Sequence, residues 1–257
     1  MSELLDDLIT IRDWLRWGES RFREARLCFG HGCDNARDEA AWLVASVLAI
    51  PFAELDANAG RVLSVGENRR LEELGAQRIA TRKPLAYLLH EAWFAGHKFY
   101  VDERVIVPRS LLGEFVRERF RPWIDPARVA RILDLCTGSG CIAIAAALAF
   151  PQARVDAADI SPDALAVAHR NVATYELDRR VELLQSDLFA ALTGRRYDLI
   201  LTNPPYVDTV DMAALPPEYR HEPQLALAAG RHGLDAIVRI LAAAPDHLEP
   251  GGMLIAE

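Results

Sequence analysis

The sequence predicts an α/β protein in which a helical domain precedes an open parallel sheet. Apolar residues recur at helical spacing in the first third of the chain, whereas short apolar runs alternate with Ala-rich stretches from residue 131 onward. Between these parts, residues 93–107 alternate in the way that is typical of a β-hairpin. We therefore expect a helical domain over 1–90, a β-hairpin linker over 91–110 and an α/β domain over 111–257.

Three helices are predicted in the first domain. The second covers 36–50, with Asp34 or Asn35 as its cap, and the third covers 67–81; each ends ahead of a proline. In the linker, the turn of the hairpin is predicted at Asp102-Glu103. The first helix has one apolar face, made by residues three and four apart: Leu4, Leu5, Leu8, Ile11, Trp14 and Leu15.

Four successive strands are predicted in the α/β domain, and a polar residue stands at or just after the end of each. Because ligands of open α/β sheets bind beyond the carboxyl ends of the strands, these residues should surround one ligand site. They are Asp134, Asp159, Asp187 and Asn203, which stand at or just after the ends of the strands 131–135, 153–158, 181–185 and 197–202, in that order.

A glycine-rich turn, Cys136-Thr137-Gly138-Ser139-Gly140, follows the first of these strands and precedes an Ala-rich helix. Its glycines allow the backbone to approach a ligand closely, and the helix N-terminus faces that ligand. Asp159 follows 19 residues later, where a carboxylate can accept hydrogen bonds from ribose hydroxyls. Cys136 is expected to have a negative φ, because a side chain disfavours the left-handed region.

The segment Asn203-Pro204-Pro205-Tyr206 follows the fourth strand directly. Two prolines fix φ at their positions and keep the preceding asparagine out of the helical region. The resulting stiff turn can hold a planar NH2 group, because the Asn203 side-chain oxygen and the Pro204 carbonyl can each accept one N–H. The motif alone leaves open the alternative of an ordinary Asn-Pro turn.

Two cofactor classes compete for the glycine-rich turn. Residues 138–143 match the G-x-G-x-x-A pattern of dinucleotide sites, which would indicate NAD. Asp134 lies before the turn, however, and a carboxylate there suits a cationic or amino-acid ligand end better than a pyrophosphate. S-adenosylmethionine is therefore favoured over NAD. A phosphate-binding P-loop is excluded, since no Gly-Lys-Ser/Thr follows the glycines.

Together these residues resemble the class I, Rossmann-like, S-adenosylmethionine-dependent methyltransferases that modify exocyclic or amide nitrogens. Residues 99–109 resemble the connecting hairpin of the HemK-type protein-(glutamine-N5) methyltransferases. Within that family, residues 90–94 and 134–141 most resemble the PrmB-type branch, which acts on large-subunit ribosomal protein L-three. The wider resemblance is carried by 134–141, Asp159, 186–189 and 203–206.

The resemblance implies methyl transfer from S-adenosylmethionine to the side-chain amide nitrogen of a glutamine in a ribosomal protein. It assigns Asn203, Pro204 and Tyr206 to catalysis and, with Pro205, to substrate binding. It assigns these residues to the cofactor: Asp134, Cys136, Thr137, Gly138, Ser139, Gly140, Asp159, Asp187, Leu188 and Asn203. The near wall of the pocket is assigned to Phe99, Pro108 and Arg109.

Two other function classes remain open, a nucleic-acid methyltransferase acting on an exocyclic adenine or guanine nitrogen and a cofactor-binding fragment without activity. The net charge of −8 and the lack of a dense basic cluster count against strong nucleic-acid binding. His221 and His232 are expected to be loop or surface residues, since the chemistry needs no strong base before attack. Glu222 is a weaker candidate for the glutamine pocket.

No segment is apolar enough for a membrane span and no signal peptide is recognised, so we expect a cytoplasmic protein without membrane contact. The four cysteines are expected to be reduced thiols, and no metal is predicted. A fifth strand is predicted to begin at Met253. A class I methyltransferase sheet continues with a helix and two further strands, so the chain is expected to be truncated at or near strand five.

Overall fold

A computed structural model describes residues 8–257, which form two compact units. The helical unit contains residues up to His90 together with Pro216–His221, and the sheet unit contains Glu91–Leu215 and Glu222–Glu257. The six residues 216–221 therefore pack with a part of the chain that precedes them by more than a hundred positions.

Three helices of the helical unit begin at positions with a side-chain cap. Thr10 and Ser64 each form a capping box with the acidic residue three positions later, and the side chain of Asn35 caps the second helix as predicted. The helices described from residue 8 onward in this unit are α1 (Ile11–Glu24), α2 (Ala36–Leu48), α3 (Val65–Thr81) and α4 (Leu85–Leu89), with 3-10 turns at Phe52–Glu54 and Pro217–His221.

The predicted start of the first helix is wrong. The helix begins at Ile11, because the Thr10 side chain accepts from the N–H of Asp13 while the Asp13 carboxylate accepts from the N–H of Thr10. Leu8 therefore lies before the helix. Leu4 and Leu5 lie outside the described residues.

The sheet unit contains a small hairpin followed by alternating strands and helices. The hairpin is β1 (Ala92–Phe94) and β2 (His97–Phe99). The elements that follow are α5 (Leu112–Arg117), β3 (Arg131–Leu135), α6 (Cys141–Ala149), β4 (Arg154–Asp159), α7 (Pro162–Thr174), β5 (Val181–Gln185), β6 (Tyr197–Thr202), α8 (Thr209–Ala214), α9 (Asp235–His247) and β7 (Leu248–Ala256), with 3-10 turns at Pro126–Arg128 and Gln224–Ala226.

The large sheet is parallel throughout and has the strand order β5-β4-β3-β6-β7. The chain proceeds outward from β3 to β5 and then crosses back to place β6 on the other side of β3. This reversal is the topological switch point at which open α/β sheets bind ligands. The predicted fold class, a Rossmann-like domain with a helical segment before it, is confirmed.

Side chains of successive strand residues enter two separate apolar cores, as the alternation of a strand requires. Ile132 and Leu199 pack in the core that contains α6 residues such as Ile144. Leu133 and Ile200, each one position further along, pack in the core that contains Ile240 of α9. The sheet is thus covered on both faces, which explains why its strands read as continuous apolar runs.

Two boundaries in this unit differ from the predictions. The hairpin turn lies at Ala95-Gly96, where both residues have positive φ, and not at Asp102-Glu103. Gly96 adopts this conformation at little cost, whereas Asp102 forms a separate turn in which its carboxylate accepts from the N–H of Arg104. Strand β7 begins at Leu248 and not at Met253, with irregular pairing to β6 before Met253.

None of the helices described within residues 8–257 combines the length and apolar character needed to cross a bilayer.

Candidate active site

A cavity of about 290 Å³ lies at the carboxyl ends of the strands around the switch point. Its wall contains the segment 104–106 and residues that follow β3, β4, β5 and β6. Further wall residues come from the stretch between Pro223 and Arg239. The lining is mostly apolar with a few charged side chains, as expected of a small-molecule site.

Asp134 shapes the glycine-rich turn from behind the cavity. It is fully buried, and its Oδ2 accepts from Thr137 Oγ1 at 2.6 Å and from the N–H of Ala143 at 3.0 Å. Its Oδ1 has no hydrogen-bond partner within residues 8–257. Burial raises the pKa of Asp134 to about 7, although the hydrogen bonds from Thr137 and Ala143 oppose the rise.

Cys136 has a φ of 60°, so the predicted negative φ is wrong. The backbone is fixed on both sides of it. The Leu135 carbonyl accepts from Thr202 Oγ1 at 2.9 Å, and the Thr137 N–H donates to the Ala158 carbonyl at 3.0 Å. The residue between these bonds is held in the left-handed region. Cys136 lines the cavity, and burial raises the pKa of its thiol to about 12, so the thiol is uncharged at neutral pH.

Asp159 lines the cavity at the end of β4. Its Oδ2 accepts from the N–H of Gly138 at 2.8 Å and its Oδ1 accepts from the N–H of Ser161 at 2.9 Å. A carboxylate oxygen can accept more than one hydrogen bond, so both oxygens retain capacity for ligand hydroxyls. Burial raises the pKa of Asp159, while the bonds from Ser161 and Gly138 oppose that rise.

The next strand contributes Asp187 and Leu188 to the same cavity. Asp187 is exposed and accepts from Nη2 of Arg239, another lining residue, at 2.9 Å. Six of the residues predicted to contact the cofactor therefore line this cavity: Cys136, Gly138, Asp159, Asp187, Leu188 and Asn203. The other four are buried in the turn and do not line it: Asp134, Thr137, Ser139 and Gly140.

Asn203 is shared between the large cavity and a smaller one of about 10 Å³. Pro205 lines the large cavity, whereas Pro204 and Tyr206 line the small one. The Oδ1 atom of Asn203 is buried and has no hydrogen-bond partner among the described residues. Buried acceptors are normally satisfied, so this oxygen, on a residue that lines both cavities, is a candidate acceptor for a donor from a ligand.

The predicted near wall is only partly present. Arg109 lines the smaller cavity, but Phe99 packs in the core and buried Pro108 lines neither cavity. The wall is instead built by 104–106, of which Ile106 faces both cavities. This segment lies within residues 99–109, which the family resemblance had singled out, but no signal in the sequence indicated that 104–106 would form the wall.

The two histidines considered as bases do not line either cavity. His221 belongs to the helical unit, where a ring nitrogen lies 3.0 Å from the Thr81 carbonyl, and His232 is exposed. Glu222 is buried but also lines neither cavity; it pairs with Arg109. Among residues 8–257, no group of three or more His, Cys, Asp or Glu side chains is arranged to hold a metal ion.

Two family descriptions match the chain. Residues 121–215 match the family described as Methyltransferase small domain, and residues 13–89 match the PrmC N-terminal domain. The first match covers the glycine-rich turn and the Asn203 motif, and the second covers most of the helical unit.

Curated relatives match nearly the whole chain. A ribosomal protein uL3 glutamine methyltransferase of Bordetella pertussis is 52% identical over 98% of this chain and 85% of its own length. A protein of the same name from Bradyrhizobium diazoefficiens is 52% identical over 98% of this chain and 81% of its own length. Another, from Burkholderia pseudomallei, is 49% identical over 96% of this chain and 83% of its own length. Since relatives of about 50% identity match 96–98% of this chain and more than four fifths of their own lengths, the chain belongs to the ribosomal protein uL3 glutamine methyltransferase family, whose methyl donor is S-adenosylmethionine.

Proposed function

We propose that this chain methylates the side-chain amide nitrogen of a glutamine in ribosomal protein uL3. The family relationship supports the reaction and its substrate class. The observation that carries the proposal is the buried Oδ1 of Asn203, which has no hydrogen-bond partner among residues 8–257 and belongs to a residue that lines both cavities. An amide NH2 is the donor group that such an acceptor fits.

The lining of the larger cavity supports S-adenosylmethionine as its ligand. Asp159 would accept from the ribose hydroxyls, Asp187 and Leu188 would border the adenine, and the backbone at Cys136 and Gly138 would border the methionine end. When bound, S-adenosylmethionine supplies a methyl group on a positively charged sulfur. The neutral thiol of Cys136 fits this setting, because a thiolate beside an electrophilic methyl group would compete with the substrate.

Asn203 and Pro204 would hold the target amide from the smaller cavity. The glutamine NH2 donates one hydrogen to Asn203 Oδ1 and the other to the Pro204 carbonyl, which fixes the plane of the amide and the direction of its nitrogen lone pair. Both acceptors also stabilise the positive charge that develops on the nitrogen during transfer. Tyr206, which lines the same cavity and is otherwise exposed, would pack on the amide plane.

No strong base is needed before attack, since the amide nitrogen becomes acidic only as the new bond forms. The lining of the smaller cavity agrees with this chemistry. Among the described residues, its ionisable members are Arg109 and Tyr206, and they include no carboxylate or imidazole. Placement of the amide therefore supplies most of the rate enhancement.

We assign recognition of the folded substrate mainly to the helical domain over 1–90 and to the linker over 91–110. The methyltransferase domain over 111–257 supplies the cavities and offers few further elements for gripping a protein. A ribosomal-protein substrate and four free thiols are in keeping with a cytoplasmic enzyme. A nucleic-acid substrate is not favoured, because the relatives are named for a ribosomal protein.

The test is mass spectrometry of ribosomal proteins after incubation with enzyme and S-adenosylmethionine. We expect one added methyl group on a glutamine of uL3 and none on RNA. The Asn203→Ala variant should lose roughly 100-fold in rate, because the amide loses the acceptor that orients it, and should retain cofactor binding by calorimetry. A methyl group on a termination factor would assign the chain to the sister branch of the family. A methyl group found only in nucleic acid, or normal turnover by Asn203→Ala, would contradict the proposal.

A further inference from the structure

We infer that Glu222 is a positioning residue for methyl transfer, which acts through Arg109 and the backbone of Val107 on the wall of the smaller cavity. This inference rests on the proposed function and assigns Glu222 no contact with the substrate. Its support comes from the way three chain segments are held together around the cavity.

The carboxylate of Glu222 accepts three hydrogen bonds from one segment. Its Oε1 accepts from the N–H of Val107 at 2.9 Å and from Nη1 of Arg109 at 2.6 Å, and its Oε2 accepts from Nη2 of Arg109 at 2.8 Å. The two bonds to Arg109 form a fork, which fixes the plane of the guanidinium relative to the plane of the carboxylate. Arg109 Nη1 also donates to the Val107 carbonyl at 3.2 Å, which closes the arrangement.

Burial makes this arrangement rigid and sensitive to charge. The Glu222 side chain has no exposed surface and that of Arg109 is 22% exposed. Solvent therefore screens the pair little, and loss of the carboxylate charge would leave Arg109 without the partner that sets its orientation.

Three segments line the smaller cavity, and separate bonds join them. Arg109 belongs to the first, Asn203 to Val207 form the second, and Ala226 and Leu227 belong to the third. The second and third are joined by backbone bonds, in which the Val207 N–H donates to the Leu227 carbonyl and the Ala229 N–H donates to the Val207 carbonyl, both at 2.9 Å. Glu222 leads into the third segment and joins it to the first.

Neutralising Glu222 should therefore release one wall of the smaller cavity and leave Asn203 in place. In the wall of the larger cavity, the turn at Gly138 is held by separate bonds, which are those of Asp159 to Gly138 and Ser161. This separation predicts a specific kinetic result, in which the rate of transfer falls while affinity for the cofactor is preserved.

The test compares Glu222→Gln, which keeps the size of the side chain, with Glu182→Gln as a matched control. Glu182 also forms a two-bonded pair with an arginine, Arg195, in the same unit, but neither residue lines the larger or the smaller cavity. For Glu222→Gln we expect kcat for uL3 methylation to fall on the order of 10- to 100-fold, since a displacement near 1 Å has effects of that size. KM for uL3 and the Kd and stoichiometry of S-adenosylhomocysteine by calorimetry should stay within about twofold. Glu182→Gln should match the wild type.

Arg109→Lys provides a second test, because it retains the charge but loses the fork. We expect it to lower kcat by about tenfold with unchanged cofactor binding. If Glu222→Gln does not bind S-adenosylhomocysteine stoichiometrically, Arg109→Lys decides the question. Normal kcat in either folded variant, or a loss of kcat matched by an equal rise in cofactor Kd, would overturn the positioning role. Failure of the wild type to methylate uL3 would instead overturn the proposed function.

Discussion

Asp134 and Asp159 end neighbouring strands, yet their surroundings give them different properties. Asp159 borders the cavity and both of its oxygens already accept backbone N–H groups. Asp134 is sealed beneath the turn with one oxygen unpartnered among the described residues. Asp159 is therefore suited to binding a ligand. Asp134 instead fixes the shape of the turn, and burying its carboxyl group costs desolvation free energy.

Asp159→Ala should weaken binding of S-adenosylmethionine. The variant loses a charged acceptor for the ribose hydroxyls and also frees the Gly138 N–H. We expect a loss of ~1.5–3 kcal/mol in binding free energy, the usual value for a hydrogen bond to a charged group. Calorimetry measures this directly, with Asp163→Asn on the exposed start of α7 as the control. Equal affinity in wild type and Asp159→Ala would remove Asp159 from the site.

Asp134 should make the stability of the protein depend on pH. Its pKa is about 7 in the folded state against an ordinary value of 3.8, so the folded state holds the proton more tightly than the unfolded state. Its contribution to the free energy of unfolding should therefore fall as pH rises from about 4 to about 7 and stay low above that range. Asn at this position does not titrate. Denaturant unfolding at several pH values should show a steeper decline for the wild type than for Asp134→Asn, and parallel curves would contradict the raised pKa.

At the scale of the elements, local chemistry predicted the positions of most helices and strands. Asn35 caps α2 as expected, and polar residues mark the ends of the strands that surround the cavity. One error arose where tertiary bonds override local preference. Cys136 adopts a positive φ because bonds from β4 and β6 fix its neighbours, and no property of the cysteine itself indicates this.

The site was predictable where its residues follow strand ends and was missed where they come from loops. Asn203 and Asp159 stand at positions that the sheet topology dictates. Arg104, Ile106 and Arg239 also line the larger cavity, but they reach it through long-range packing that spacing does not encode. Sequence spacing also could not show that Phe99 packs in the core and not in the pocket wall.

The elements of the helical unit meet at a buried ion network that should dominate its stability. Arg78 of α3 is fully buried and donates to Glu39 of α2 at 2.6 Å, and its Nη1 lies 3.7 Å from Glu218 of the Pro217–His221 turn. Glu218 also accepts from the N–H of Cys28 at 2.8 Å. Burial raises the pKa of Glu39, and Arg78 opposes the rise.

Arg78→Met should therefore destabilise the protein strongly, because it takes the paired arginine from the buried carboxylate of Glu39 and leaves Glu218 with Arg82 as its nearby arginine. Breaking one partner of a buried pair costs about 3–5 kcal/mol. Urea unfolding followed by tryptophan fluorescence measures the change. Glu73→Gln is the control, since its pair with Arg70 is exposed and 3.6 Å long; it should leave the midpoint unchanged. If the free energy of unfolding falls no more in Arg78→Met than in this control, the network contributes little to stability.

At the scale of the whole molecule, the net charge of −8 should influence encounter with the substrate. Ribosomal proteins bind RNA and are generally basic, so long-range attraction should speed association and weaken as salt screens it. We expect kcat/KM for uL3 to fall between low and moderate ionic strength while the cofactor Kd changes much less. A salt-independent kcat/KM would exclude electrostatic steering.

Deletion of residues 1–85 should abolish methylation of uL3 and spare cofactor binding. The structure adds a consequence for the segment 216–221, whose partners in the helical unit include Arg78 and Arg82. Without them this segment should become accessible to proteases. Trypsin should then cleave after Arg220 in the truncated protein but not in the full chain, and resistance at Arg220 would show that the segment holds its conformation unaided.

The cavity wall begins at Arg104 and ends at Arg239, so it draws on more than half of the chain. None of these stretches encloses a volume alone. They are brought together by pairing between strands, some of which, such as β3 and β6, are far apart in sequence. During synthesis, a pocket therefore cannot exist until α9 has left the ribosome. Retention on immobilised S-adenosylhomocysteine would therefore separate chains with a finished fold from chains that are still incomplete. Because the ligand binds only the finished fold, its binding would also shift the last folding step toward completion by mass action.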